Sequence, residues 1–374
     1  MALLRLAPEI LFKIFDLLDN DFFDHDLGLL TVCKRWSEFA LPTYHQTLDI
    51  LDWQLRKFIA GELVKTPYFL ERNLRTLTIE LRGFLINAPC IEGSYAKVPG
   101  EGPFRTWKQD LNNDLIQLAT IVQRSRGLRT LHIKAKNYDE DCRSDCGLTY
   151  LTLSSIQGFL SLENLSVLVL DLPLYFYYLP GGKEVSRHIC SDISALFSTL
   201  QVLQIRKQHI CPDILKPKDP NARLSLRTVA ICLSLADPGE TRYRKGHSRR
   251  CITRCRDWRQ LKEDMVEQAQ ILATQMAEPK VVKIITHELP GLKRASLDVL
   301  TGKTTQLWSR HSWDKDGAVI YSDSDSDSDS DTDSDIVSLE EADLETIGWV
   351  TDEEDWEGEW EEELQEDSSS SSED

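Results

Sequence analysis

A short pattern, Leu-x-x-Leu-x-aliphatic, recurs along the chain and constrains its fold more than any other feature. It stands at Leu74–Ile79, Leu128–Ile133, Leu162–Val167 and Leu200–Ile205, then at Leu226–Ile231 with Val229 for the second leucine and, more weakly, at Leu292–Leu297. The start-to-start intervals are 54, 34, 38, 26 and 66 residues. The second half of each copy alternates apolar and polar positions, which predicts a strand with one buried face. Helical periods fall between the copies: Leu111, Leu115, Leu118, Ala119 and Val122 within Asp110–Arg126, then Ile193, Leu196 and Phe197 within Cys190–Leu200. A third follows in Asp257–Met276, on Leu261, Met265, Ala269, Leu272 and Met276. Strand, helix and strand in this order predict parallel pairing with the helices on one side.

A shared motif in such an arrangement predicts an α/β body over residues 46–305, an irregular leucine-rich-repeat-like solenoid. The uneven intervals, and the lack of Asn or Cys after each strand, leave an ordinary α/β domain as the alternative. In the solenoid, the polar positions of the strands line a curved face suited to protein recognition: Thr76, Thr78, Thr130, His132, Gln204, Thr228 and Ala230.

Charge divides the 374 residues unequally. Of 61 acidic residues, 24 lie in Tyr321–Asp374, which has no Lys or Arg; residues 1–320 hold 43 basic against 37 acidic residues, a net +6 within an overall −18. The most apolar stretch, Phe159–Pro180, contains Glu163, Asn164 and Asp171, and so predicts buried core and not a bilayer span. The first residues lack the basic-then-apolar order of a secretory signal, and nine scattered cysteines suit a reducing compartment. A cytoplasmic or nuclear location is expected, with no membrane partner.

The N-terminal residues 1–45 read as three short helices. Ile10, Leu11, Ile14, Phe15, Leu17 and Leu18 form a stripe after Pro8 and Glu9, which suit a helix's first turn. Asp19–Asp26 is a polar connector interrupted by Phe22 and Phe23; Leu27, Leu29 and Leu30 follow, then Val32, Cys33, Trp36, Phe39 and Ala40, with Pro42 expected to stop the last helix. A unit this small buries little surface and normally needs a neighbour or a partner. The sequence Leu6-Ala7-Pro8-Glu9-Ile10-Leu11, with Ile14-Phe15 and Val32-Cys33-Lys34-Arg35-Trp36, resembles the F-box. With its leucine-rich-repeat-like body, the chain is similar to F-box proteins of the fungal type. The resemblance covers about a tenth of the chain. It departs from the family in having Ala7 where the first proline usually stands, and in a longer connector. It implies docking, through Leu6, Pro8, Ile10, Leu11, Ile14, Val32, Cys33, Lys34 and Trp36, to the S-phase-kinase-associated linker protein of cullin-RING ubiquitin ligases.

Residues able to do chemistry do not assemble along the sequence. Cys142 and Cys146 have three residues between them, as do Cys251 and Cys255, while His188-x-Cys190 and His209-x-Cys211 add imidazoles. None of these is the tight Cys-x-x-Cys spacing common in zinc sites, so free thiols and no metal or cofactor are expected. Phosphate-loop, zincin and nucleophile-elbow motifs are absent, and Pro180-Gly-Gly-Lys183 lacks a strand-to-helix context, so no catalytic residues and no enzyme are expected. Arg242, Arg244, Lys245, Arg249, Arg250, Arg254, Arg256 and Arg259 form a basic stretch with Asp257 as its one acid. With few aromatic residues to stack on bases, it argues against a nucleic-acid partner and fits an acidic protein surface or a solvated loop.

Residues 306–374 form an acidic tail expected to be disordered. Ser322–Asp335 alternates Ser or Thr with Asp, a pattern preferred by acid-directed kinases. As a flexible coil the final 54 residues would span roughly 40 Å. Within them Trp349, Trp356, Trp360 and Leu364 would share about 80° of a helix, enough for a segment that folds in a partner's groove or an accident of spacing. The whole reads as a non-enzymatic adaptor of an SCF-type ubiquitin ligase, with the linker protein and cullin on one side and an unidentified client on the body. The alternative is a nuclear scaffold or histone-binding protein acting through its acidic tail.

Overall fold

Strands that alternate inward and outward have one apolar face to cover, and helices laid on that face cover it. The computed structural model of the chain follows this plan. It describes residues 6–15, 17–18, 22–23, 25–61, 68–84, 101–135, 150–173, 176–177, 188–235, 246–251, 258–288, 293–307 and 313. The chain divides into two units, Met1–Tyr321 and Ser322–Asp374. The second, with the Ser/Asp run and the segment of Trp349, Trp356, Trp360 and Leu364, lies outside the described residues.

A nine-stranded sheet dominates the first unit and runs in chain order from edge to edge. Its strands are β1 (Thr47–Leu51), β2 (Thr76–Leu81), β3 (Thr130–Ala135), β4 (Val167–Leu172), β5 (Val202–Lys207) and β6 (Thr228–Cys232). β7 (Val281–Glu288), β8 (Lys293–Asp298) and β9 (Thr304–Leu307) complete it. Strands β1 to β7 are parallel, and β8 and β9 return antiparallel.

The register places like residues side by side. Leu48, Leu77, Leu131, Leu168, Leu203, Val229 and Val282 make one row, and Ile50, Ile79, Ile133, Leu170, Ile205, Ile231 and Ile284 make the next but one. Apart from partly buried Leu48, both rows are sealed in the main core. Each such side chain contributes about 1.5–3 kcal/mol by leaving water. A row of carbonyls fixes the start of the register. The oxygens of Gln46, Arg75, Arg129, Ser166, Gln201 and Arg227 each accept two backbone N–H groups from the strand that follows.

Eight α-helices are present among the described residues. Two are N-terminal, α1 (Pro8–Phe15) and α2 (Lys34–Tyr44). Then come α3 (Asp52–Ala60), α4 (Tyr68–Asn73), α5 (Glu101–Val122), α6 (Leu153–Leu160), α7 (Cys190–Ser194) and α8 (Trp258–Gln275). Leu55, Leu115, Ile156, Ile193 and Met265 carry α3, α5, α6, α7 and α8 into the core behind the two rows. Buried Asn112 joins α5 to Leu151–Thr152: its amide donates to the carbonyls of Lys108 and Tyr150, each at 2.7 Å, and its oxygen accepts from the Thr152 N–H. Helices α5 and α6 pack closely at Gly158, where an added Cβ would sit 2.9 Å from that of Ala119.

Several expectations need correction. Pro42 lies inside α2, which continues to Tyr44; buried Thr43 and the packing of Tyr44 hold that last turn. The sixth motif copy forms β8, which is antiparallel, because only residues 289–292 separate it from β7 and a parallel return needs a longer crossover. The seventh parallel strand is β7 itself, whose Val281-Val-Lys-Ile-Ile run has no leading leucine. Ala230, expected on the open polar face, is buried. Near it that face is partly covered, because Trp313 packs with Cys232 and Ile285.

Candidate functional site

The first candidate is the N-terminal helical region. Leu11, Phe15, Phe23, Leu30, Phe39 and Ala40 make a small core distinct from that of the sheet. Phe15 is its centre, 4.6 Å by ring centroid from the edge-on Trp36, 6.2 Å from Phe39 and 6.4 Å from Phe23. The Trp36 indole N–H donates to the Leu29 carbonyl, and the Arg35 guanidinium donates to the Leu6 carbonyl at 3.4 Å. Of the residues the F-box resemblance implies, Pro8, Ile10, Val32 and Lys34 are exposed, while Leu6, Ile14, Cys33 and Trp36 are half-buried. Leu11 is fully buried and supports the surface from beneath. Ile10 at 48%, Val32 at 42%, Leu27 at 57% and Leu17 at 85% exposure leave apolar side chains uncovered. Phe23, read from the sequence as an interruption of a polar connector, is a core residue.

The second candidate is a Cys₃His cluster. The short strand Arg249–Arg250 pairs parallel with His209–Ile210, with Arg250 opposite Ile210. The next residue on each strand is a cysteine, so this register brings Cys211 and Cys251 together, and the Cys251 N–H donates to the Ile210 carbonyl at 3.3 Å. Cys190 opens α7 beside them, with His188 two residues before it. The ligand atoms of His188, Cys190, Cys211 and Cys251 all lie within 4.8 Å of one another, and the three cysteines are buried. The Cys190 and Cys251 sulfurs are 3.8 Å apart, and the Cys211 sulfur is 3.6 Å from His188 Nδ1.

Each thiol has one thiol hydrogen bond that lowers it, the largest influence on Cys190 and Cys251, and one that raises it, the largest on Cys211; with burial added on the raising side, each is pushed up to about 12. Burial lowers His188, which keeps its imidazole available as a lone-pair donor. Lys207, at the end of β5, is buried, and its ammonium donates to the His209 carbonyl at 2.6 Å. Burial lowers the Lys207 pKa, and its interaction with the three sulfurs opposes that shift. This arrangement can ligate a thiophilic divalent cation. The sequence predicts free thiols; the fold gathers three of them, free, beside one imidazole. The four ligands are separated by 1, 20 and 39 intervening residues, and what assembles them is the pairing of two two-residue strands that no sequence period announces. His209 is not one of the four; Cys142, Cys146 and Cys255 lie outside the described residues.

Other predicted features are dispersed. Arg249 is exposed on its short strand, Arg250 forms an ion pair with Asp264 on α8, and the Arg259 guanidinium lies 5.9 Å over the Trp258 ring. Arg242, Arg244, Lys245, Arg254 and Arg256 lie outside the described residues. The sequence also gave no hint that Ser234 and His287 meet: the serine oxygen is 2.7 Å from His287 Nδ1, and His247 stacks on both His287 and Trp258. Ser234 and His287 are fully buried, which closes the serine to any substrate. Burial pushes His287 down to about 4, so it is a neutral core residue at pH 7.

Comparison with protein-family models and with curated proteins gives no match for this chain.

Proposed function

We propose that the chain is a non-enzymatic substrate-recognition adaptor of an SCF-type cullin-RING ubiquitin ligase. Its N-terminal helices, on this reading an F-box, dock to the S-phase-kinase-associated linker protein, and through it to the cullin. The body, read as an irregular leucine-rich-repeat-like solenoid, holds a client protein. The observation that carries the proposal is the N-terminal region: it bears the Val-Cys-Lys-Arg-Trp ending, has a core of six buried residues, and leaves Ile10 and Val32 in solvent. Uncovered aliphatic side chains on so small a core favour completion by a second polypeptide. The sequential parallel strands and the shared row of strand-start carbonyls support the solenoid reading. An adaptor of this kind raises the rate of ubiquitin transfer by positioning its client.

Co-purification with the linker protein tests the proposal, repeated with Ile10→Lys and Val32→Lys, which alter exposed positions and leave the small core intact. Loss of capture in both variants is expected; undiminished capture overturns the assignment. A salt titration separates the alternative, binding of basic partners by the acidic tail, because such binding collapses within a few hundred millimolar salt and an apolar dock persists.

A further inference from the structure

We infer that His188, Cys190, Cys211 and Cys251 form a closed structural zinc site, fastening the Arg249–Cys251 segment and the head of α7 to the end of β5. A tetrahedral zinc ion has bonds of about 2.3 Å to sulfur and about 2.0–2.1 Å to nitrogen. Tetrahedral angles then set sulfur–sulfur edges of about 3.8 Å and sulfur–nitrogen edges of about 3.6 Å. Two of the six edges here are 3.8 Å, for Cys190 to Cys251, and 3.6 Å, for Cys211 to His188 Nδ1, and all six lie within 4.8 Å. Four side chains supply four ligands, so no coordination position is left for water or substrate. That is the pattern of a structural site and not of a catalytic one. Three thiolates and an imidazole also select against calcium and magnesium, which take oxygen ligands.

Charge supports the same assignment. Zinc(II) with three thiolates and a neutral imidazole carries a net charge of −1, and a basic side chain, Lys207, is buried beside the set. Binding displaces one proton from each of the three thiols to solvent and involves no change of oxidation state. The cation joins three segments that are distant in sequence and share the edge of the main core. Helix α7 has only five residues, and Arg249–Arg250 pairs over only two. It also anchors the described end of the basic stretch onto the body.

Metal content of the full chain, purified without chelator and measured by inductively coupled plasma mass spectrometry, tests the site directly. The expected result is about one zinc per chain. Reconstitution with Co(II) should give the absorption of a tetrahedral, thiolate-bound ion. Cys211→Ser and Cys251→Ser should each lose the metal, while Cys232→Ser, which changes a buried thiol outside the set, should keep it. Lys207→Met retains all four ligands and should release zinc to a chelator roughly 10–100-fold more readily; unchanged release would overturn the role of Lys207. A folded wild-type chain that carries no zinc and gives no tetrahedral Co(II) spectrum overturns the site. Since both readouts come from the wild-type protein, the test survives any variant that fails to fold.

Discussion

The N-terminal helices and the sheet solve the same problem at different scales. In the sheet, two rows of aliphatic side chains run across seven parallel strands and are roofed by five helices, so every central strand has neighbours on both sides. In the N-terminal region six buried residues, Phe15 at their centre, must hold two helices and the Leu27–Thr31 turn, and aliphatic side chains remain in water. A long ladder is complete in itself because each strand finishes the one before it. A three-element cluster is mostly rim, and its small core and its exposed aliphatic side chains have the same cause.

Paired truncations would break or sharpen this contrast. Ile133→Ala, in the middle of a buried row, and Phe15→Ala, at the centre of the small core, should each cost about 2–5 kcal/mol. The responses should differ in extent. Ile133→Ala should lower the unfolding midpoint of the whole body, whereas Phe15→Ala should strip hydrogen-exchange protection from residues 8–44 and leave the amides of β2–β6 protected. Loss of protection throughout the sheet on Phe15→Ala would show the two cores to be one cooperative unit.

On the sheet's other face, Asp171 on β4 and Arg206 on β5 form a two-bond ion pair, at 2.6 and 2.9 Å, with side chains only 6% and 3% exposed. The Arg206 guanidinium lies 5.7 Å over the Trp313 ring. Asp171→Asn leaves the arginine charge buried and uncompensated, and should cost about 3–5 kcal/mol in a urea melt. An effect below about 1 kcal/mol would mean that water reaches the pair and that the face is less covered than its burial indicates.

Acid probes the body through His287. Its pKa is about 4 in the folded state, against the usual 6.5. The unfolded chain therefore binds the proton more readily throughout that interval. The stability that comes from burying a neutral imidazole is complete above pH 6.5 and is lost as pH falls toward 4. The loss should be on the order of 3 kcal/mol in unfolding free energy. His287→Gln should flatten this part of the pH profile; an unchanged slope would assign the acid response to other groups.

How much of this was legible in the sequence follows the range of the interactions involved. The six motif copies mark β2, β3, β4, β5, β6 and β8, because each strand's alternation is local. Helix α8 lies within one residue of its expected ends, since its apolar period is sustained for five turns. β1 and β7 lacked the leading leucine and were missed, although Leu48 and Ile50, or Val282 and Ile284, alternate in the same way. The Cys₃His cluster was not legible, because Cys211 and Cys251 meet only through the pairing of Ile210 with Arg250, a contact between residues forty apart. Ser234 and His287 are likewise joined by the fold, across 53 residues.

The smallest expected effect on stability bears most directly on the contrast. Ile10 and Val32 are exposed, so Ile10→Lys and Val32→Lys remove little buried surface and should each shift the unfolding free energy by less than about 0.5 kcal/mol. If these positions are solvated in the working state, linker binding should be equally indifferent. If a partner covers them, each lysine must shed its hydration or leave a gap in the interface, and binding should fall by at least about tenfold while the melt is unchanged. Trp36 discriminates less well, because its indole both packs on Phe15 and holds the Leu29 carbonyl, so Trp36→Ala should lose stability and binding together. The separation of the two readouts at Ile10 and Val32, and their coincidence at Trp36, is what a surface completed by another chain requires and what an ordinary solvent-facing rim would fail to produce.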